Sequence, residues 1–341
     1  MGSLRSLGVT MGSLRSLGVT MGSLRSLGVT MGSLRSLGVT AALLLCAATA
    51  SAQKTHVLII TGLGGELKYS MAFMKTAATL ADSARARWGV KDSSLIVLGE
   101  DPAMDPKHIT GKSTKAEVEK AFLTLSKRVA PGDVVLVFLN GHGASEGPDS
   151  RVNLSGPDPT AADFNGWLSA FSKQAVVFVN AASGSGDFLQ VLKAPGRVIV
   201  SATKTAIERN ETIFAPPFVK GLTSGDADSD KDNRVSVLEA FDYAKKEVAR
   251  VYETDKKLLT EHAQVTDTVF ARTVAFGGTK PSEDPRVVAL VSEQRALELQ
   301  IAALRSRKAT TDSTVYAAEL EKLLLALAEK SAAVRAAGGK P

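Results

Sequence analysis

"VVFVNAASGSGDF", residues 176–188, reads as a buried strand that runs into a crowded turn. Val176 to Val179 are apolar, and Ala181, Ala182, Ser183, Gly184, Ser185 and Gly186 are all small. Small residues let another group approach the backbone, and glycine makes turns that other residues cannot. This strand therefore delivers its C-terminal end to a place where something is presented. The same design recurs along the chain. "HVLIITGLGG" (56–65), "SSLIVLGE" (93–100), "GDVVLVFLNGHG" (132–143) and "GRVIVSAT" (196–203) are further apolar runs with small or polar ends. Between them, "SMAFMKTAATLADSARARW" (70–88), "AEVEKAFLTLSKRV" (116–129) and "TAADFNGWLSAF" (160–171) carry helical spacing. Thr114 and Glu117 predict a capping box ahead of the second of these helices.

Near-continuous apolar strands alternating with helices predict an α/β domain, with a mainly parallel sheet covered by helices on both faces. Sites in such sheets lie outside the C-terminal strand ends. "TGLGGE" (61–66), "NGHGASEG" (140–147) and "NAASGSG" (180–186) all fall there. The first lacks both the spacing of a dinucleotide fingerprint and the lysine of a P-loop, so it reads as a turn beside the site.

The N-terminus is of a different kind. "MGSLRSLGVT" occurs four times in succession from residue 1, a period too short for a solenoid unit. The last copy continues into "AALLLCAATASAQ". With Arg35, the apolar run at Leu43–Leu45 and Ala50-Ser51-Ala52, this predicts a secretory signal cleaved near Ala52. The expected location is secreted or periplasmic. The apolar run is too short to span a bilayer, so no membrane span is expected in the mature chain. The 1–52 prefix holds four of the 41 basic residues and none of the 35 acidic ones. Without it the formal charge falls from +6 to +2, which removes the charge argument for nucleic acid. Cys46, the one cysteine, also goes with the prefix. The mature chain can then have no disulfide, no zinc-thiolate site and no cysteine nucleophile.

Three segments follow: the prefix and signal at 1–52, the α/β domain at 53–280, and a C-terminal helical hairpin at 281–341. In the last, Leu290, Leu297, Ile301 and Leu304, then Leu320, Leu323, Leu324 and Leu327, fall at helical spacing around the turn "ATTDS". Packing of the hairpin on itself or on the core is the first expectation, and a partner-binding coiled coil the second.

His142 lies between two glycines just past a strand, where a general base beside an oxyanion-stabilising Gly143 amide would sit. Together, the strand ending in His142-Gly143 and the strand ending in "NAASGSG" resemble the caspase–legumain group of cysteine peptidases, over roughly residues 55–275. In that group one strand ends in His-Gly and the next in an Asp-Ala-Cys-x-Ser-Gly-like run. Aligned without gaps, Ala182 takes the alanine, Ser185-Gly186 take the Ser-Gly, and Ser183 takes the cysteine. Ala181 replaces the acidic residue. The resemblance implies a caspase-like fold, a peptide or protein ligand, and a centre made of His142, Gly143 and Ser183. It also places 201–214 near the specificity pocket. A serine hydroxyl ionises far less readily than a thiol and needs a well-oriented base held by an acid. Glu146, Asp149 and Asp163 are the nearby acids. Three readings stay open: a degenerate peptidase, an active serine-type acyl hydrolase using Ser183 and His142, and a non-catalytic peptide-binding module.

"DSDKDNRVSVLE" (228–239) follows an EF-hand loop. Asp228, Asp230, Asp232, the Arg234 carbonyl, Ser236 and Glu239 stand at positions 1, 3, 5, 7, 9 and 12. The expected cofactor is Ca²⁺. Asn233 takes the glycine position, and Val235 is the apolar position 8. A good exiting helix follows from Val237. On the entering side, Pro216-Pro217 and "TSGD" are expected to leave little helix. His56, His108 and His262 have no metal spacing and read as core or surface histidines.

Overall fold

The computed structural model describes residues 53–144, 149–205, 208, 210–229, 234–276 and 284–337. All of these lie in the second of two units, Met1–Thr49 and Ala50–Pro341. The expected signal segment and Cys46 lie outside the described residues.

The apolar runs form the central strands. In chain order the strands are β1 (Thr55–Thr61), β2 (Leu95–Gly99), β3 (Gly111–Lys112), β4 (Val134–Asn140), β5 (Gly143–Ala144), β6 (Arg151–Val152), β7 (Ala175–Asn180), β8 (Arg197–Ser201), β9 (Val235–Ser236), β10 (Gln264–Val265) and β11 (Ala275–Phe276). The main sheet has seven strands in the order β10-β8-β7-β4-β1-β2-β3. Every neighbouring pair is parallel except β10 with β8. β5–β6 and β9–β11 are small antiparallel ribbons. The strand order reverses between β1 and β4, where Thr61 and Asn140 stand side by side. That junction is the place such a sheet offers a ligand crevice.

The helices are α1 (Leu67–Trp88), α2 (Lys115–Ser126), α3 (Ala161–Leu168), α4 (Phe188–Leu192), α5 (Ala215–Ser224), α6 (Val237–Thr254), α7 (Thr268–Thr273), α8 (Pro285–Ser306) and α9 (Ser313–Ala336). β4 is buried along its whole length because both its faces are covered. Leu136 and Phe138 point into the core beneath α1, α5 and α6. Val135, Val137 and Leu139 point into the core beneath α2 and α3. This is the period of two that strand geometry imposes. On the second face Phe164 is the hub: its ring lies 5.2 Å from Phe178, 5.9 Å from Phe188 and 6.1 Å from Phe122. Burying each such ring contributes about 1.5–3 kcal/mol.

The helix ends differ in part from expectation. Thr114 accepts the Glu117 N–H and caps α2, but the reciprocal bond of a capping box is not formed. Complete boxes stand at Thr160–Asp163 and Ser236–Glu239 instead. α5 corrects a second expectation. Its prolines fall in the first turn, where a missing N–H costs nothing, so a ten-residue helix does enter the 228–239 loop. α8 and α9 pack on one another, and Lys330 pairs with Glu293 across them. Ile301, Leu304 and Val334 are buried, while Leu324 and Leu325 stay exposed. Among the described residues no helix is long and apolar enough to cross a membrane.

Candidate functional site

The three strand-end motifs converge. β4 and β7 are adjacent, with Leu139 opposite Asn180, so His142-Gly143 and Ala182-Ser183 leave the sheet side by side. Gly143 is glycine for a steric reason. A Cβ there would lie 2.6 Å from the Arg151 carbonyl oxygen and 2.9 Å from that of Ser183. The β5–β6 ribbon and the Ser183 turn thus close on Gly143 from two sides. Gly184 follows Ser183 with φ 61°, the left-handed conformation that glycine takes without penalty.

Ser183 is only 4% exposed. Its hydroxyl accepts the Gly143 N–H at 3.3 Å and donates to the Gly143 carbonyl at 3.4 Å. Both contacts are long. The amide that the resemblance reserves for a developing oxyanion is therefore spent on the serine itself. The turn around it is tied on every side. Asn180 Oδ1 accepts the Ala182 N–H, Ala181 O accepts the Thr212 hydroxyl at 2.6 Å, and Glu208 O accepts the Gly184 N–H at 3.0 Å. Ser185 and Thr203 hydroxyls meet at 3.2 Å, and Gly186 N–H donates to Thr203.

His142 is half-buried and packed against two rings. Tyr69 stands edge-on to it at 5.1 Å and 88°, and Phe73 at 5.2 Å and 69°. Both rings come from the first turns of α1, which begins at Leu67, three residues before the sequence pattern suggests. The His142 carbonyl accepts the Asn153 N–H. Among the described residues, the imidazole makes no hydrogen bond.

Of the three nearby acids, Glu146 lies outside the described residues and Asp149 is exposed. Asp163 is engaged elsewhere: it caps α3 through Thr160 and accepts the Lys115 ammonium at 2.6 Å. Burial raises its pKa, but the Lys115 and Thr160 bonds outweigh that and hold it below the usual carboxylate range. The "TGLGGE" turn is fixed by Glu100, which accepts the Gly64 N–H at 3.1 Å and the Ser70 hydroxyl at 2.6 Å. The other histidines are paired. His56 meets Asp133 at 3.1 Å in the core, His108 sits between Asp105 and Asp82, and His262 meets Glu208 at 2.9 Å.

In the 228–239 loop, Asp230 and Asp232 lie outside the described residues. Glu239 Oε1 accepts the Ser229 N–H and hydroxyl, and Oε2 accepts those of Ser236. Burial raises the Glu239 pKa, but these four bonds bring it below its ordinary value. The four bonds favour the ionised carboxylate, the form in which a carboxyl group binds a cation. Val235, at loop position 8, pairs with Phe276 in the β9–β11 ribbon. Phe276 in turn packs on Trp88 at 4.8 Å. Among the described residues, no three His, Cys, Asp or Glu side chains converge on a metal-sized point.

No protein-family model matches this chain, and no curated protein matches it.

Proposed function

We propose that this chain is an exported caspase/legumain-like protein whose strand-end cleft holds a peptide without cleaving it. One observation carries the reading. The Ser183 hydroxyl and the Gly143 amide bond to each other, while His142 is held by Tyr69 and Phe73 with no acid on its imidazole among the described residues. A serine nucleophile needs its base oriented by a third group and its oxyanion amide open. Neither condition is supported by this geometry. The strand order, with its reversal between β1 and β4, supports the caspase-like expectation at the level of architecture. Export rests on Arg35, the Leu43–Leu45 run and Ala50-Ser51-Ala52.

In this reading Ca²⁺ stabilises the loop. Asp228, Asp230, Asp232, the Arg234 carbonyl, Ser236 and Glu239 would hold it, a set made only of the hard oxygens that calcium prefers. The helix on each side and the ionised Glu239 fit that role. The packed α8 and α9 form the helical hairpin, bound to the core through α7.

Incubation of the protein with a degenerate peptide library tests the proposal. Retention of a subset of peptides with no new termini is the expected result. New termini that vanish in Ser183→Ala would make the cleft a hydrolase.

A further inference from the structure

Residues 323–328 of α9 read Leu-Leu-Leu-Ala-Leu-Ala. Successive side chains on a helix stand about 100° apart, so this run circles the helix completely. A single neighbouring helix covers one face of it only. α8 takes the face on which Lys330 pairs with Glu293 and Val334 is buried. Leu323 and Leu327 stand on that same face, two turns earlier. Leu324 and Leu325 do not, and they are 43% and 60% exposed. Apolar side chains clustered on a surface in this way mark a place of association.

Leu324 is the ridge of this surface. On one side it lines a groove between the hairpin and α7, together with Val269, Arg272, Ile301 and Arg305. On the other it shares a shallow surface of α9 with Leu320, Glu321 and Leu325. The two flanks carry opposite charge. Arg272 and Arg305 are exposed on the first, and Lys308, from the turn after α8, stands over the Tyr316 ring at 5.7 Å. Glu321 is exposed on the second. Among the described residues, Arg272, Arg305 and Glu321 make no ion pair. Glu298, the acid in the groove, accepts the Gln294 side-chain amide at 3.4 Å.

We propose that this surface joins two copies of the chain. A two-fold axis along the Leu324 ridge sets the exposed leucines of one copy against those of the other. It also brings the arginine flank of each copy onto Glu321 of its mate. An isologous contact requires such self-complementarity, with each patch answering itself. Charge selects this occupant over others. An acidic foreign partner would match Arg272 and Arg305 but oppose Glu321, and a basic one would do the reverse. A second copy answers both flanks at once. The surface belongs to the hairpin, so the inference goes beyond the peptide-binding reading and does not rest on it.

Sedimentation velocity of the protein over a wide concentration range tests this. A monomer–dimer equilibrium is expected, and it should weaken as salt screens the exposed flanks. Leu324→Asp should leave a monomer. Glu321→Arg sets like charges against Arg272 and Arg305, and Arg305→Glu does the same against Glu321. Each should weaken dimerisation by about tenfold or more. The double variant restores opposite charge across the axis and should recover at least part of the loss. All three side chains are exposed, so circular dichroism of every variant should match the wild type. A wild type that stays monomeric would overturn the proposal, whatever else its hairpin binds. So would a dimer that Leu324→Asp leaves intact, or a double variant no tighter than either single one.

Discussion

Gly143→Ala tests how tightly the strand ends are closed. The added Cβ would stand 2.6 Å from the Arg151 carbonyl oxygen, about 0.8 Å inside the 3.4 Å of ordinary contact, and 2.9 Å from the Ser183 carbonyl oxygen. Both obstacles are backbone, and neither can rotate away. Relief requires β6 to part from β5 and the Ser183 turn to draw back, which breaks the long Gly143–Ser183 bonds as well. Overpacking of this kind costs about 1–3 kcal/mol. A value near 2 kcal/mol corresponds to a drop of roughly 4–8 °C in Tm for a domain of this size. Gly166→Ala is the internal control. Gly166 lies in α3 with nothing within 4 Å of its added Cβ, so alanine should stabilise by about 0.5–1 kcal/mol. Differential scanning calorimetry of the two variants should move Tm in opposite directions. A Gly143→Ala protein that melts with the wild type would refute the closed geometry on which the functional reading depends.

Other outcomes follow from the same contacts. A single calcium loop should bind on the order of 10⁻⁴ to 10⁻³ M, and a hundredfold excess of Ca²⁺ should add about 2.7 kcal/mol. Because both Glu239 oxygens accept bonds and glutamine has only one carbonyl oxygen, Glu239→Gln should destabilise even without the ion, by about 1 kcal/mol. Asp230→Asn should lower only the calcium response, and a Tm indifferent to chelator would count against the site. Phe164→Ala removes the hub of four rings and should cost about 3–5 kcal/mol in urea unfolding. Exported protein should begin at Gln53 on N-terminal sequencing, and a mature chain that retains Cys46 would contradict the cleavage reading.

The central sheet was legible because its strands are buried on both faces and so read as unbroken apolar runs. Val134–Leu139 and Val176–Val179 have no other comfortable place. The two-residue strands at Gly111–Lys112 and Gln264–Val265 left no such trace, because they pair through backbone at the sheet edges and bury few side chains. α5 was hidden by Pro216 and Pro217, residues that break a helix interior but suit a first turn. At the site, the convergence of "NGHG" and "NAASGSG" was readable from strand-end chemistry. The grip of Tyr69 and Phe73 on His142 was not, because it depends on α1 crossing the end of β4, about seventy residues later in the chain. Asp163 was legible as an acid near His142 in sequence, yet Thr160 and Lys115 claim it. Glu261, whose carboxylate accepts the Ile213 and Phe214 N–H groups at the start of α5, gave no signal at all. Its partners are backbone amides, and amides have no letter in a sequence.

We propose that Ser183 is held in the nucleophile's place but left unactivated. Intact-mass analysis of the wild-type protein after exposure to a fluorophosphonate tests it most directly. A hydroxyl 4% exposed and bonded to the Gly143 backbone, with no acid on His142 among the described residues, should yield no adduct at Ser183. Rapid stoichiometric phosphonylation of Ser183 that is lost in His142→Ala would contradict the account and make this protein a working serine hydrolase.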